Sequence, residues 1–259
     1  MRTSSVRRTA LAASVAALAL LVTACGGSGD DQDKADEGKG ASAASGAPAE
    51  ALTAAELEKA ALAQSDVKSG KVATKLPATD DIAAGKVKTE DAACLPLARA
   101  QAAVAQGEPA AAVKRSWTGD PVKPSADTKP EDALMAALDV DKALINLASY
   151  DGDGAEQAMK GLAAAAEKCV GGYKATVVGE PMDVVKVAAT AAPEGGDEGA
   201  AVTLTVAADE GVEAPNKIVV VRKGATVVTF SAVNLAAMAT GEDFEVPADV
   251  VAAQVGKLG

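Results

Sequence analysis

The chain of 259 residues contains no histidine. That absence removes every Ser-His-Asp or Cys-His nucleophile system, every HExxH zinc motif and any histidine-based pH sensing. Cysteine is scarce too: Cys25, Cys94 and Cys169 are the whole set, and no two stand in the CxxC spacing of a redox pair. Five aromatics occur, Trp117, Tyr150, Tyr173, Phe230 and Phe244. Sugar-binding clefts stack rings on their ligand, so a large carbohydrate platform is not expected. The core has to be built from alanine, valine and leucine. Positive charge is in deficit, with a formal net charge of −11. A basic surface for nucleic acid is excluded, and charge-driven adhesion to anionic lipid with it.

The positive charge that is present begins the chain. Arg2, Arg7 and Arg8 precede the uncharged run Thr9 to Ala24, and residues 1–24 hold no acid. A basic region followed by an apolar one is the arrangement of a secretory signal. At 16 residues the apolar run is short for a spanning helix, which needs about 20. It ends in Val22-Thr23-Ala24-Cys25, which matches the lipobox and resembles the leaders of bacterial lipoproteins. The resemblance implies cleavage before Cys25 and acylation of its thiol, with chains such as palmitate holding the protein to the bilayer. Each buried methylene contributes about 0.8 kcal/mol of membrane affinity, so two or more chains anchor stably. The pair Arg7-Arg8 also resembles a twin-arginine export signal, and both export routes stay open. Loss of the three leader arginines would bring the net charge from −11 to −14.

From Gly26 to Glu50 almost no apolar residue exceeds alanine in size. Such a segment cannot bury enough surface to offset its ordering entropy and is expected to stay disordered. A flexible chain of that length spans on the order of 25–30 Å, enough to hold a domain clear of the lipid. The expected organisation is a signal peptide over residues 1–24, a lipidated cysteine and tether over 25–51, and an extracytoplasmic domain over 52–259. With Cys25 assigned to lipid, Cys94 and Cys169 remain, too few for a thiolate zinc site. In an exported protein they most simply form one disulfide; two free thiols are the alternative. The loop closed would be about 75 residues long, for which chain entropy gives roughly 4–4.5 kcal/mol.

Within the domain, Thr53 and Glu56 have the spacing of a capping box and open a helix over 54–64. A short helix is expected from Leu95 to Gly107, and a strand around Ala112 to Trp117 before a proline-rich loop. Residues 132–150 are ambiguous. Leu134, Leu138 and Ile145 share a helical face, while the alternation from Lys142 and the turn "SYDGDG" suit a strand. Asp153 and Glu156 repeat the capping-box spacing ahead of a helix whose stripe, Met159, Leu162, Ala166 and Cys169, aims the cysteine inward. The second half reads as strands separated by "GEP", "PEGGDEG", "EGVEAPN" and "RKG", with a hairpin at Lys223-Gly224 and a final helix opening at Pro247. The predicted class is α+β, a mostly antiparallel sheet with helices on one face, in a single domain behind the tether.

The segment "LASYDGDGAEQAMKGLAAAAEKC", with an earlier partner cysteine, a lipobox and a low-complexity tether, resembles actinobacterial lipoproteins of the PknH-like extracellular sensor type. The matching residues are Tyr150, the helix Asp153 to Lys168, and Cys169. The aromatic that the family shows just before the cysteine is replaced here by "AAAAEK", and there is cysteine for one bridge rather than two. The resemblance implies a strand before Tyr150 and a domain with a cleft that senses or binds a ligand.

Motifs that carry chemistry elsewhere fall short here. In "DGDG", Asp151 to Gly154, positions five and twelve of a calcium loop would be Ala155 and Leu162, so a strand-to-helix turn is expected. Asp139 and Asp141 could pair as hydrolytic carboxylates, but no aromatic subsite accompanies them. Lys114, Arg115 and Trp117 place two cations beside the sole tryptophan, a candidate patch for an anionic group or a partner's acidic segment. A core tryptophan beside a charged surface is the competing reading. No catalytic, cofactor-binding or metal residue is expected. The predicted function is a non-enzymatic, membrane-anchored binding domain on the outer face of the cell membrane. Its partners would be the bilayer, through acylated Cys25, and a small ligand or an envelope protein. A histidine-independent hydrolase and an assembly factor for another envelope protein are the alternatives.

Overall fold

The β-branched runs pair as antiparallel strands. The computed structural model describes residues 50–124, 127, 129–208 and 211–258; Cys25, the leader and all but the end of the tether lie outside them. In chain order the strands are β1 (Lys71–Ala73), β2 (Val87–Thr89), β3 (Ala111–Thr118), β4 (Asp141–Ser149), β5 (Tyr173–Val177), β6 (Glu180–Thr190), β7 (Glu198–Ala207), β8 (Glu213–Lys223) and β9 (Thr226–Asn234). The helices are α1 (Ala54–Ala60), α2 (Leu95–Gln101), α3 (Pro130–Leu138), α4 (Gly154–Lys168), α5 (Leu235–Thr240) and α6 (Ala248–Gly256). All nine strands join one sheet in the order β1-β3-β4-β9-β8-β7-β6-β5-β2, every pairing antiparallel. The described residues thus form one α+β domain, the expected class.

The helices do not keep to one face. Ile218 and Val220 of β8, with Val202 and Leu204 of β7, face a core closed by α2 and α4. Val219 and Val221 face the other way, with Phe230, Ile145 and Leu147, into a core closed by α1 and α6. The reason is visible in "IVVV" and "TVVTF". A strand apolar on both sides needs cover on both sides, so the single-face expectation is corrected to two layers of helix.

Residues 132–150 divide between the two readings. Pro130 starts a helix, a position that its missing N–H favours, and the helix stops at Asp139, whose ψ of 73° is not helical, before β4. The helix expected over 54–64 stops at Ala60, because Ala61 is extended. The one expected to reach Gly107 ends at Gln101, followed by Ala103 at φ 47°. "EGVEAPN" is partly strand. Pro215 lies in β8 opposite Thr205, at a level where β9 is not paired and no amide hydrogen is required. The capping box at Thr53 and Glu56 forms in both directions. The second one does not. Asp153 precedes α4 without bonding its backbone, accepts instead from Gln157 Nε2 at 2.9 Å, and Glu156 pairs along the helix with Lys160.

Cys94 and Cys169 are joined, with Cα atoms 6.0 Å apart and both residues buried. The bond ties the start of α2 to the end of α4. No helix among the described residues is long and apolar enough to cross a membrane.

Candidate functional site

The three residues offered as a candidate binding patch are used by the fold, and Trp117 is the core tryptophan of the competing reading. Alternation along β3 sends Arg115 and Trp117 to the α1 side, where they are 4% and 5% exposed. The Arg115 guanidinium donates to the carbonyls of Leu62 at 3.2 Å and Lys114 at 2.9 Å and pairs with Glu58. The indole N–H of Trp117 donates to the Ser69 carbonyl at 3.0 Å. Lys114, on the other side of the strand, pairs with Asp81 at 3.3 Å and donates to the Ile82 carbonyl. The three side chains do not meet on a surface.

The other sequence candidates are also occupied within the domain. Asp139 and Asp141 both accept from the amide of Asn234, at 2.8 and 2.9 Å, and hold it as the cap of α5. "DGDG" is the turn into α4, with Gly152 at φ 60°. Among the described residues no group of acids and cysteines is placed to hold a metal ion. Cys25 lies outside them.

What the structure brings together is a pocket of about 390 Å³ between α2 and α4. Pro96 and Arg99 form one wall, Gly154, Ala158 and Gly161 the other, and Tyr150 with Gln106 lies between them. Its size is within the range of ligand sites, about 300–1,000 Å³. The walls are set by local structure. Residues 154, 158 and 161 recur at helical spacing, so α4 turns a small-residue stripe toward the opening. A Cβ on Gly154 would come within 2.9 Å of the Tyr150 side chain, whereas one on Gly161 would meet nothing. Tyr150 donates to the Gln106 carbonyl at 2.9 Å, and the Gln106 amide donates to the Pro96 carbonyl at 2.9 Å. The disulfide links the same two helices.

Electrostatically the pocket is unbalanced. Burial pushes the Tyr150 hydroxyl up to about 12, against the lowering effects of its hydrogen bond to Gln106 and the nearby charge of Arg99. The phenol therefore stays neutral at physiological pH. Arg99, in the last turn of α2, has no ion pair among the described residues, and its Nε is buried without a hydrogen-bond partner. Glu108 lies at the exposed rim and makes no pair with it. A second cavity of about 460 Å³ lies between α6 and the sheet near Lys217. There the lysine is matched, 2.8 Å from Asp243, and lies over the Phe244 ring.

Sequence reasoning passed over Arg99 because nothing aromatic adjoins it. One signal was available: the positions three and four away are Leu95, Pro96, Ala102 and Ala103, so no acid stands at helical spacing. No protein-family model and no curated protein matches the chain. Among solved structures it is similar to the crystal structure of the extracellular domain of PknH from Mycobacterium tuberculosis, with 12% identity and a TM-score of 0.49, over 81% of this chain and 97% of that one.

Proposed function

We propose that this chain is a lipoprotein anchored through acylated Cys25 on the outer face of the cell membrane. Its α+β domain is a non-catalytic module that binds a small ligand between α2 and α4. The reading is supported from two directions. The lipobox, the acidic tether and the buried disulfide suit an exported, tethered domain. The binding role rests on one observation: a pocket whose two helical walls are cross-linked and which contains a charged side chain the fold leaves unpaired.

Gly161→Leu tests the pocket without removing any interaction, since a side chain there points into open space. Replacing a mid-helix glycine also favours the helix by about 0.5–1 kcal/mol. Native mass spectrometry of protein taken from its own membranes is expected to show a bound mass on the unaltered chain and none on the variant. The same bound mass on both chains would overturn the site, and a bare mass on both would overturn the binding role. Cys25→Ala tests the anchor: the chain should be lost from the membrane fraction. Retention there with the leader removed would contradict the anchor.

A further inference from the structure

We infer that Arg99 is the anion-binding group of the α2–α4 pocket, and that the ligand carries a carboxylate or phosphate on a small, largely apolar body. The inference rests on the proposal that this pocket binds a ligand, and names the chemistry it selects. Three arginines fall among the described residues. Arg115 pairs with Glu58, and Arg222 pairs with Asp197 and Glu198. Arg99 alone of the three has no carboxylate, and its Nε–H is removed from water with nothing to donate to. Arg99 as a whole is half-buried, but its Nε–H is a buried donor left unpaired, and that is costly.

Acid is not in short supply. The chain holds 36 Asp and Glu against 25 Lys and Arg. Even so, the acid lining this pocket, Glu108, is turned to solvent and makes no pair with Arg99. Nor is Tyr150 an internal counter-ion, because its hydroxyl is buried and already donates to the Gln106 carbonyl. The position opposite the guanidinium is thus available to an oxyanion from outside, which arginine engages through two parallel N–H groups. In the same pocket Leu95, Ala158 and Gly161 supply apolar lining for the rest of a small ligand. Specificity would follow from the same asymmetry, because a neutral ligand of equal shape leaves the Nε–H unpaired.

The test uses the full mature chain from Cys25 onward and three probes of one shape: benzoate, phenyl phosphate and benzamide. The reporters are the Arg99 Nε–H resonance and the amides of Gly154 and Gly161 in ¹H–¹⁵N spectra. Benzoate or phenyl phosphate should shift all three saturably, and the tighter of the two identifies the group selected. Arg99→Gln should weaken that binding by about 10- to 100-fold, the effect of losing a hydrogen bond to a charged group. Arg99→Lys should restore part of it. Benzamide should bind the unaltered chain more weakly by a similar factor. Benzamide binding as tightly as benzoate, with Arg99→Gln unaffected, overturns the anion inference while leaving a ligand pocket in place. Spectra that no probe moves, including the Nε–H of the unaltered chain, overturn both.

Discussion

Arg115 and Arg99 carry the same guanidinium toward opposite helical layers of one sheet. On the α1–α6 side, Arg115 is surrounded by acceptors: two backbone carbonyls and the Glu58 carboxylate. The neighbouring polar groups follow suit. Gln254, fully buried, bridges the Leu62 amide and the Ala60 carbonyl, and Lys257 pairs with Asp66. On the α2–α4 side Arg99 has no such partner, and the groups around it are pinned to one another instead. A layer whose buried polar groups are all matched is stabilising structure. On the proposal above, the layer that leaves a fixed charge beside a cavity is the one that takes a ligand.

The largest separation between the layers should come from the disulfide. Replacing Cys94 and Cys169 together by serine removes a cross-link over 75 residues, worth about 4 kcal/mol in the chain-entropy model. Urea unfolding gives the total. Because the cross-link acts on the unfolded chain, the global stability falls for both layers; native-state hydrogen exchange should add local openings in α2 and α4 alone, and the same added openings in α1 and α6 would break the distinction. Next in size is Arg115→Met, which strands the Leu62 carbonyl and discards packing around the stem. A loss of about 2–4 kcal/mol is expected by urea unfolding.

High pH adds a third contrast. Burial raises the pKa of both Tyr150, to about 12, and Tyr173 above the free value, and both belong to the α2–α4 core. Each keeps its proton in the folded chain after the unfolded chain has lost it. Their stabilisation is therefore whole below about pH 10 and declines as the pH rises through the folded values. Tyr150→Phe should flatten the alkaline decline by about 2–3 kcal/mol between pH 10 and 12, measured as the difference from the unaltered chain so that lysine titration cancels. The smallest effect is expected at Val178, an exposed β-branched residue at φ 54° in the two-residue turn between β5 and β6. Val178→Asn should raise stability by about 0.5–1 kcal/mol, since asparagine tolerates the left-handed region.

Features set by neighbours along the chain were legible in the sequence. The β8–β9 hairpin (its turn at Gly224-Ala225, one residue on from the expected Lys223-Gly224), the capping box at Thr53 and the inward-facing Cys169 each depend on residues a few positions apart, and each is present. Apart from the Cys94–Cys169 bond, left as the simplest pairing once Cys25 was set aside, what depended on distant partners was not legible. At Lys114, Arg115 and Trp117 a binding patch and a core tryptophan stayed open, because the acceptors that decide for the core, Glu58, Leu62 and Ser69, lie about 50 residues earlier and meet them only through the sheet. Asp153 had the right spacing for a capping box, yet Gln157 one turn on takes its carboxylate. The two-layer arrangement was implicit in strands apolar on both sides, and the expectation of one layer overlooked it. Arg99 is the sharpest case. Its distinguishing property is the absence of a partner: the sequence shows that no acid stands at helical spacing, and the assembled fold that none arrives from elsewhere among the described residues.

The central claim is that the fold does not use Arg99 and keeps it for a ligand. The direct measurement is the urea stability of Arg99→Met beside Arg115→Met, without added ligand. The account expects Arg99→Met to be unchanged within about 0.5 kcal/mol or more stable, since it removes an unpaired buried donor, while Arg115→Met loses several times that. Equal losses at the two positions would contradict it, because Arg99 would then be holding the domain together as Arg115 does.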